Sequence, residues 1–137
     1  MSLGPRFVDS NLFVYVMMRD PSFAERSLRI LTRFEEGRET GWTSTLALSQ
    51  VFSHLKKRGK LTAIDSFYGF LESSPINIME TSRADMAKAQ EIKEEQSLPW
   101  SMWDDLVLAA QMERAKIEEI YSNDTDFDKI RGLRRIF

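Results

Sequence analysis

The sequence predicts an α/β protein: a three-layer α/β/α sandwich around a central, mainly parallel sheet. Short strand-like runs alternate with longer segments of helical periodicity along the whole chain, the pattern of parallel strands joined by helices. The 137 residues are 42% hydrophobic, enough for a single core of ordinary size. No internal repeat or low-complexity linker interrupts them, so residues 1–137 are expected to form one domain.

The elements follow in order. Phe7-Val8 reads as a short buried strand that ends at the polar Asp9-Ser10-Asn11, and Leu12 to Met18 as a buried helical turn. Pro21-Ser22 opens a helix carried by Phe23, Leu28, Ile30, Leu31 and Phe34 and stopped at Gly37. Gly41-Trp42-Thr43 is a brief strand. Leu46, Leu48, Val51, Phe52 and Leu55 recur at helical spacing up to Lys56-Lys57-Arg58-Gly59, cations at the negative helix end with glycine beyond. Leu61 to Leu71 is another helix and Ile76 to Met79 a strand. Thr81 or Ser82 caps a helix through Met86, Ala89 and Ile92, broken at Leu98-Pro99-Trp100-Ser101. A helix opening near Asp104 carries Leu106 to Met112. Ile117 to Tyr121 is a strand, followed by the acidic loop Ser122 to Asp126 and a last short strand within Leu133 to Phe137.

Composition narrows the chemistry. With no cysteine there is no disulfide framework, thiolate metal site or cysteine nucleophile, and the single His54 excludes a histidine cluster. Nineteen basic against 21 acidic residues leave a net charge of −2, so any binding of a polyanion must rest on a local basic patch. No apolar run approaches the roughly 20 residues of a membrane span, and no secretory signal is recognisable. The expected location is cytoplasmic, with no membrane association. Carboxylates, hydroxyls and amides remain as reactive groups.

Two acids share one local setting. Asp9 follows Phe7-Val8 and Asp124 follows Ile120-Tyr121, so each stands just past the carboxyl end of a strand, where sites form in open α/β sheets. Asp104 opens a helix. Three converging carboxylates need a counter-charge, and a hard divalent cation, Mg²⁺ or Mn²⁺, supplies it. Each aspartate taken alone is equally well a turn or helix cap.

Four blocks in order resemble those of a PIN domain, most closely in the VapC-type toxins of toxin–antitoxin pairs. They are Phe7-Val8-Asp9-Ser10-Asn11-Leu12-Phe13, Thr43 to Val51, Trp103-Asp104-Asp105-Leu106-Val107-Leu108-Ala109-Ala110 and Tyr121 to Asp128. The resemblance implies a metal-dependent ribonuclease with metal-binding acids at Asp9, Asp104 and Asp124. Asp105 falls at the family's small-residue position, and because neighbours on a helix are about 100° apart, only one of the pair can face the metal fully. Asn11 and Ser122 match supporting polar positions. Asp126 matches an often acidic one, where it either reaches the site or caps its turn. The second block usually ends in glutamate. Here it ends in Gln50, which accepts a hydrogen bond but carries no charge, so Gln50 completes the expected catalytic set while casting doubt on efficient cleavage.

Lys56, Lys57, Arg58 and Lys60 form the densest basic cluster, able to contact RNA phosphates or simply to complement a helix end. The resemblance further implies a cognate antitoxin as partner and a homodimer. Leu12 to Met18 serves either as a partner surface or as a buried helix. Two function classes therefore stand: an active endoribonuclease, and a PIN-fold module that binds RNA or protein with cleavage weakened by Gln50. A phosphorelay receiver fits poorly, because no aspartate follows the strand Ile76 to Met79.

Overall fold

The computed structural model describes residues 4–137; residues 1–3 of the expected domain lie outside the described residues. Five strands form one sheet: β1 (Arg6–Val8), β2 (Gly41–Ser44), β3 (Asn77–Met79), β4 (Glu119–Tyr121) and β5 (Arg134–Ile136). Their order is β3-β2-β1-β4-β5 and every pairing is parallel, with Phe7 opposite Trp42 on one side and Ile120 on the other. The connections carry α1 (Ser10–Met17), α2 (Ala24–Glu35), α3 (Thr45–Lys57), α4 (Leu61–Ser73), α5 (Arg83–Gln96) and α6 (Trp103–Arg114).

Period-two alternation in the central strands divides the core into two layers. Phe7 and Ile120 point to one face and pack with Ala89, Ile92 and the residues of α6. Val8 and Tyr121 point to the other, where Leu12, Phe13, Ile30, Phe34, Val51 and Phe67 cover them. Residues 106–112 of α6 are all buried, the polar Gln111 among them through hydrogen bonds to Thr81 and Asp85. The α/β/α sandwich is thus built as its sequence pattern predicts.

Local details depart from the reading of the sequence. The second helix starts at Ala24, after a turn in which Asp20 accepts from the amides of Ser22 and Phe23. Leu28 and Met86, assigned above to apolar helix faces, are half exposed, because each lies just off the stripe that meets the sheet. Ser82, not Thr81, is the cap of α5, in a reciprocal capping box with Asp85. In α1 only Leu12 and Phe13 are buried; Val14 to Met17, and Met18 at its C-terminal cap, are partly buried.

The chain builds β1, β2 and β3 outward on one side, then returns through α5 and α6 to place β4 on the other side of β1. That reversal leaves a crevice beyond the carboxyl ends of β1 and β4.

Candidate metal centre

Asp9 and the Ser122 to Asp124 loop leave adjacent strands at this crevice, and their groups are knotted together. Asp9 caps α1, its Oδ1 accepting from the Ser10 amide at 2.7 Å. Ser122 Oγ donates to Asp9 Oδ2 at 2.7 Å and accepts from Asn11 Nδ2 at 3.2 Å and from the Asp124 amide at 3.0 Å. Ser122 is fully buried, so this one hydroxyl ties the first strand's acid to the loop of the fourth. Asp124 in turn accepts from the Asp126 amide at 2.9 Å, which curls the loop into a 3-10 turn over Thr125–Lys129.

The third contribution comes from the first turn of α6, and the structure corrects its register. Asp105, rather than Asp104, joins Asp124 and Asp126, with one carboxylate oxygen from each lying within 4.8 Å of the others. Asp104, one residue and about 100° earlier on the helix, faces α3 and accepts from Gln50 Nε2 at 2.8 Å. Asp126, which the sequence leaves open between site and turn, belongs to the group. Its second partner is the exposed Lys129, whose Nζ lies 2.9 Å from Asp126 Oδ1.

The group is electrostatically unfavourable by itself. Burial and the surrounding carboxylates, Asp124 foremost and then Asp9, Asp126 and Asp104, push Asp105 up to about 7. Burial also raises Asp9, against the opposing effect of its hydrogen bonds from Ser122 and Ser10. The donor set suits a hard divalent cation: carboxylate oxygens with no nitrogen or sulfur ligand among them. A second observation points the same way. Asn11 Oδ1 is buried beside this knot without a hydrogen-bond partner among the described residues. A buried acceptor of this kind calls for a donor from outside the chain.

Two clefts lie along α3, one reaching Ser10 and Asn11 beside Asp9 and the other reaching Asp104. One, of about 550 Å³, is lined by Ser10, Asn11, Tyr15, Gln50, His54 and Arg58. The other, of about 410 Å³, is lined by Ser49, Gln50, Ser53, His54, Lys57 and Asp104. Gln50 is common to both. Lys57 and Arg58 of the basic cluster therefore border the site, while Lys56 and Lys60 are exposed and line neither cleft. His54, given no role by the sequence, lies one helical turn from Gln50 and lines both; the i, i+4 spacing was the signal for it. Tyr15 also borders the first cleft, its hydroxyl accepting from Asn123 Nδ2 at 3.1 Å. Trp100 is 62% exposed and stands away from these clefts, with Lys93 Nζ 4.4 Å from its ring centre.

The architecture is shared with solved structures of low sequence identity. The VapC20 toxin of Mycobacterium tuberculosis, described as cleaving the sarcin–ricin loop, superposes with a TM-score of 0.73 at 17% identity, covering 90% of this chain and 92% of that one. VapBC2 of Rickettsia felis, bound to a promoter DNA fragment, gives 0.70 at 18% identity with 96% and 97% covered. DNA-bound VapBC of Salmonella typhimurium gives 0.71 at 14% identity with 98% of both chains covered. No curated protein matches the sequence. The PIN domain family model, however, matches residues 6–133, almost the full length, and the chain belongs to the PIN domain family.

Proposed function

We propose that the chain is a divalent-metal-dependent endoribonuclease, acting in the cytoplasm as the toxin of a VapBC-type pair. One observation carries this reading: carboxylates of Asp105, Asp124 and Asp126 crowd together at the sheet's switch point with Asp9 behind them, and burial and repulsion push Asp105 up to about 7. Asp9, Asp105, Asp124 and Asp126 would hold Mg²⁺ or Mn²⁺. Such an ion lowers the pKa of a bound water and offsets the charge that develops on a phosphate.

The chain's own residues do the rest. Ser122 and the Ser10 amide hold Asp9 in one orientation. Asn11 Oδ1, left without a partner among the described residues, is free to accept a hydrogen bond from a ligand in the crevice. Lys57 and Arg58 draw the RNA backbone along the clefts, with Lys56 and Lys60 adding to the surrounding field. Gln50 supplies a neutral oxygen in place of an acid. The toxin role rests on the likeness to VapC folds, and with it come a cognate antitoxin and a homodimer as expected partners. Among the described residues no helix is long and apolar enough to cross a membrane.

The test is cleavage of labelled, mixed-sequence single-stranded RNA with Mn²⁺ or Mg²⁺ and with EDTA, beside an identically purified Asp105→Asn protein. Cleavage that needs the metal and disappears in the variant is the expected result. A folded, antitoxin-free protein that binds the RNA without cutting it would favour the module weakened by Gln50.

A further inference from the structure

We propose that Asp104 is a positioning residue: it locks the Gln50 amide so that its carbonyl oxygen, not its NH₂ group, is available to a cation in the carboxylate crevice. The inference rests on the metal-site reading above and adds a unit to it that the three-carboxylate group does not contain.

The two ends of a glutamine amide have the same shape and opposite polarity, so packing alone does not decide which end faces a site. An ionised carboxylate decides it, because it can only accept. Asp104 Oδ2 accepts a hydrogen bond from Gln50 Nε2 at 2.8 Å, and the carbonyl Oε1 is then the end left over. Among the described residues nothing donates to that oxygen. Gln50 stands where the two clefts meet, one running past Ser10 and Asn11 and the other past Asp104. An amide free to turn would spend part of its time with its positive end toward the cation, which opposes binding. Asp104 removes that state.

The placement also explains the two aspartates in tandem at the head of α6. Their 100° separation sends Asp105 to Asp124 and Asp126, and Asp104 across to α3. One residue joins the ligand group; its neighbour orients an oxygen donor from another helix.

The experiment is a double-mutant cycle read by calorimetric titration with Mn²⁺. The proteins are wild type, Asp104→Ala, Gln50→Ala and the double variant, with Asp105→Asn as reference and thermal unfolding to verify folding. Asp104→Ala is expected to weaken Mn²⁺ binding about 10-fold, in the range for loss of a group that orients a ligand. In the Gln50→Ala background the same change is expected to alter it less than about twofold. Equal loss in both backgrounds would show Asp104 acting through space by its charge alone, and no loss in either would remove it from the site; each overturns the proposal. Uptake that is abolished by Asp105→Asn but indifferent to Asp104→Ala sinks the positioning role and leaves the metal site standing. No Mn²⁺ uptake by the wild type overturns both.

Discussion

Ser122 Oγ and Asp9 Oδ2 lie 2.7 Å apart, joining two residues 113 positions apart in sequence at the carboxyl ends of adjacent strands. The hydroxyl also accepts from Asn11 and from the Asp124 amide. Ser122→Ala is therefore expected to release three groups at once. Leaving the buried Asp9 carboxylate short of a donor should cost about 1–3 kcal/mol of stability. Mn²⁺ affinity should fall about 10-fold or more, as for other groups that orient metal ligands. Urea unfolding and calorimetric titration measure the two; an unchanged affinity would take Ser122 out of the site.

The raised Asp105 makes a prediction about pH. Its folded value, about 7, lies above the ordinary carboxylate range, so between about pH 4 and 7 the folded state holds a proton that the unfolded state has lost. Stability of the metal-free protein should accordingly fall as pH rises through this window and level off above it. Thermal unfolding in EDTA from pH 5 to 8 measures this. Mn²⁺ should raise the melting temperature most at pH 8. Asp105→Asn should melt higher than wild type in EDTA at pH 8 and lose the response to Mn²⁺; a variant that melts lower there would refute the repulsion argument.

A structural carboxylate shows the opposite sign. Burial alone would raise Asp85, but hydrogen bonds from Arg114, the Ser82 amide and Gln111 hold it below its usual range. Its contribution is present above about pH 4, the unfolded value, and is lost as pH falls through the lower folded one. Arg114 is half exposed, so Asp85→Asn should cost about 2 kcal/mol at pH 7. By urea unfolding the gap between variant and wild type should narrow below pH 4.

Lys57 and Arg58 border the clefts, so they should contact the RNA backbone. In an Asp105→Asn background, expected to bind RNA without cutting it, replacing both by glutamine should weaken binding of mixed-sequence RNA uniformly. The slope of log affinity against log salt should shrink by about 1.4, two phosphate contacts on a single strand. An unchanged slope would assign this end of α3 to helix-end complementarity alone.

Packing sets a last constraint. A Cβ on Gly41 would lie 2.9 Å from the Phe34 ring. Gly41→Ala should thus cost about 1–3 kcal/mol in urea unfolding, because Phe34 is buried between the strand and Tyr121 and has little room to move.

The sequence by itself determined the alternation of strands and helices, hence the parallel sheet, and the family through four blocks in order. It also pointed to Asp9 and Asp124 as candidates, because Asp9 directly follows β1 and Asp124 stands in the short polar loop that follows β4. Which of Asp104 and Asp105 approaches Asp124 and Asp126 is visible only in three dimensions. Helical periodicity settles such a register when one face of the helix is polar, but α6 is buried all round over residues 106–112 and offers no phase. What orients it is packing against the sheet and α5, which turns Asp105 to the Asp124 loop and Asp104 to Gln50. Asn11 and Ser122 were legible as candidates in the sequence and His54 by its i, i+4 spacing from Gln50, but the groups they touch depend on distances between elements far apart in the chain, which the closing of the sheet around β1 sets.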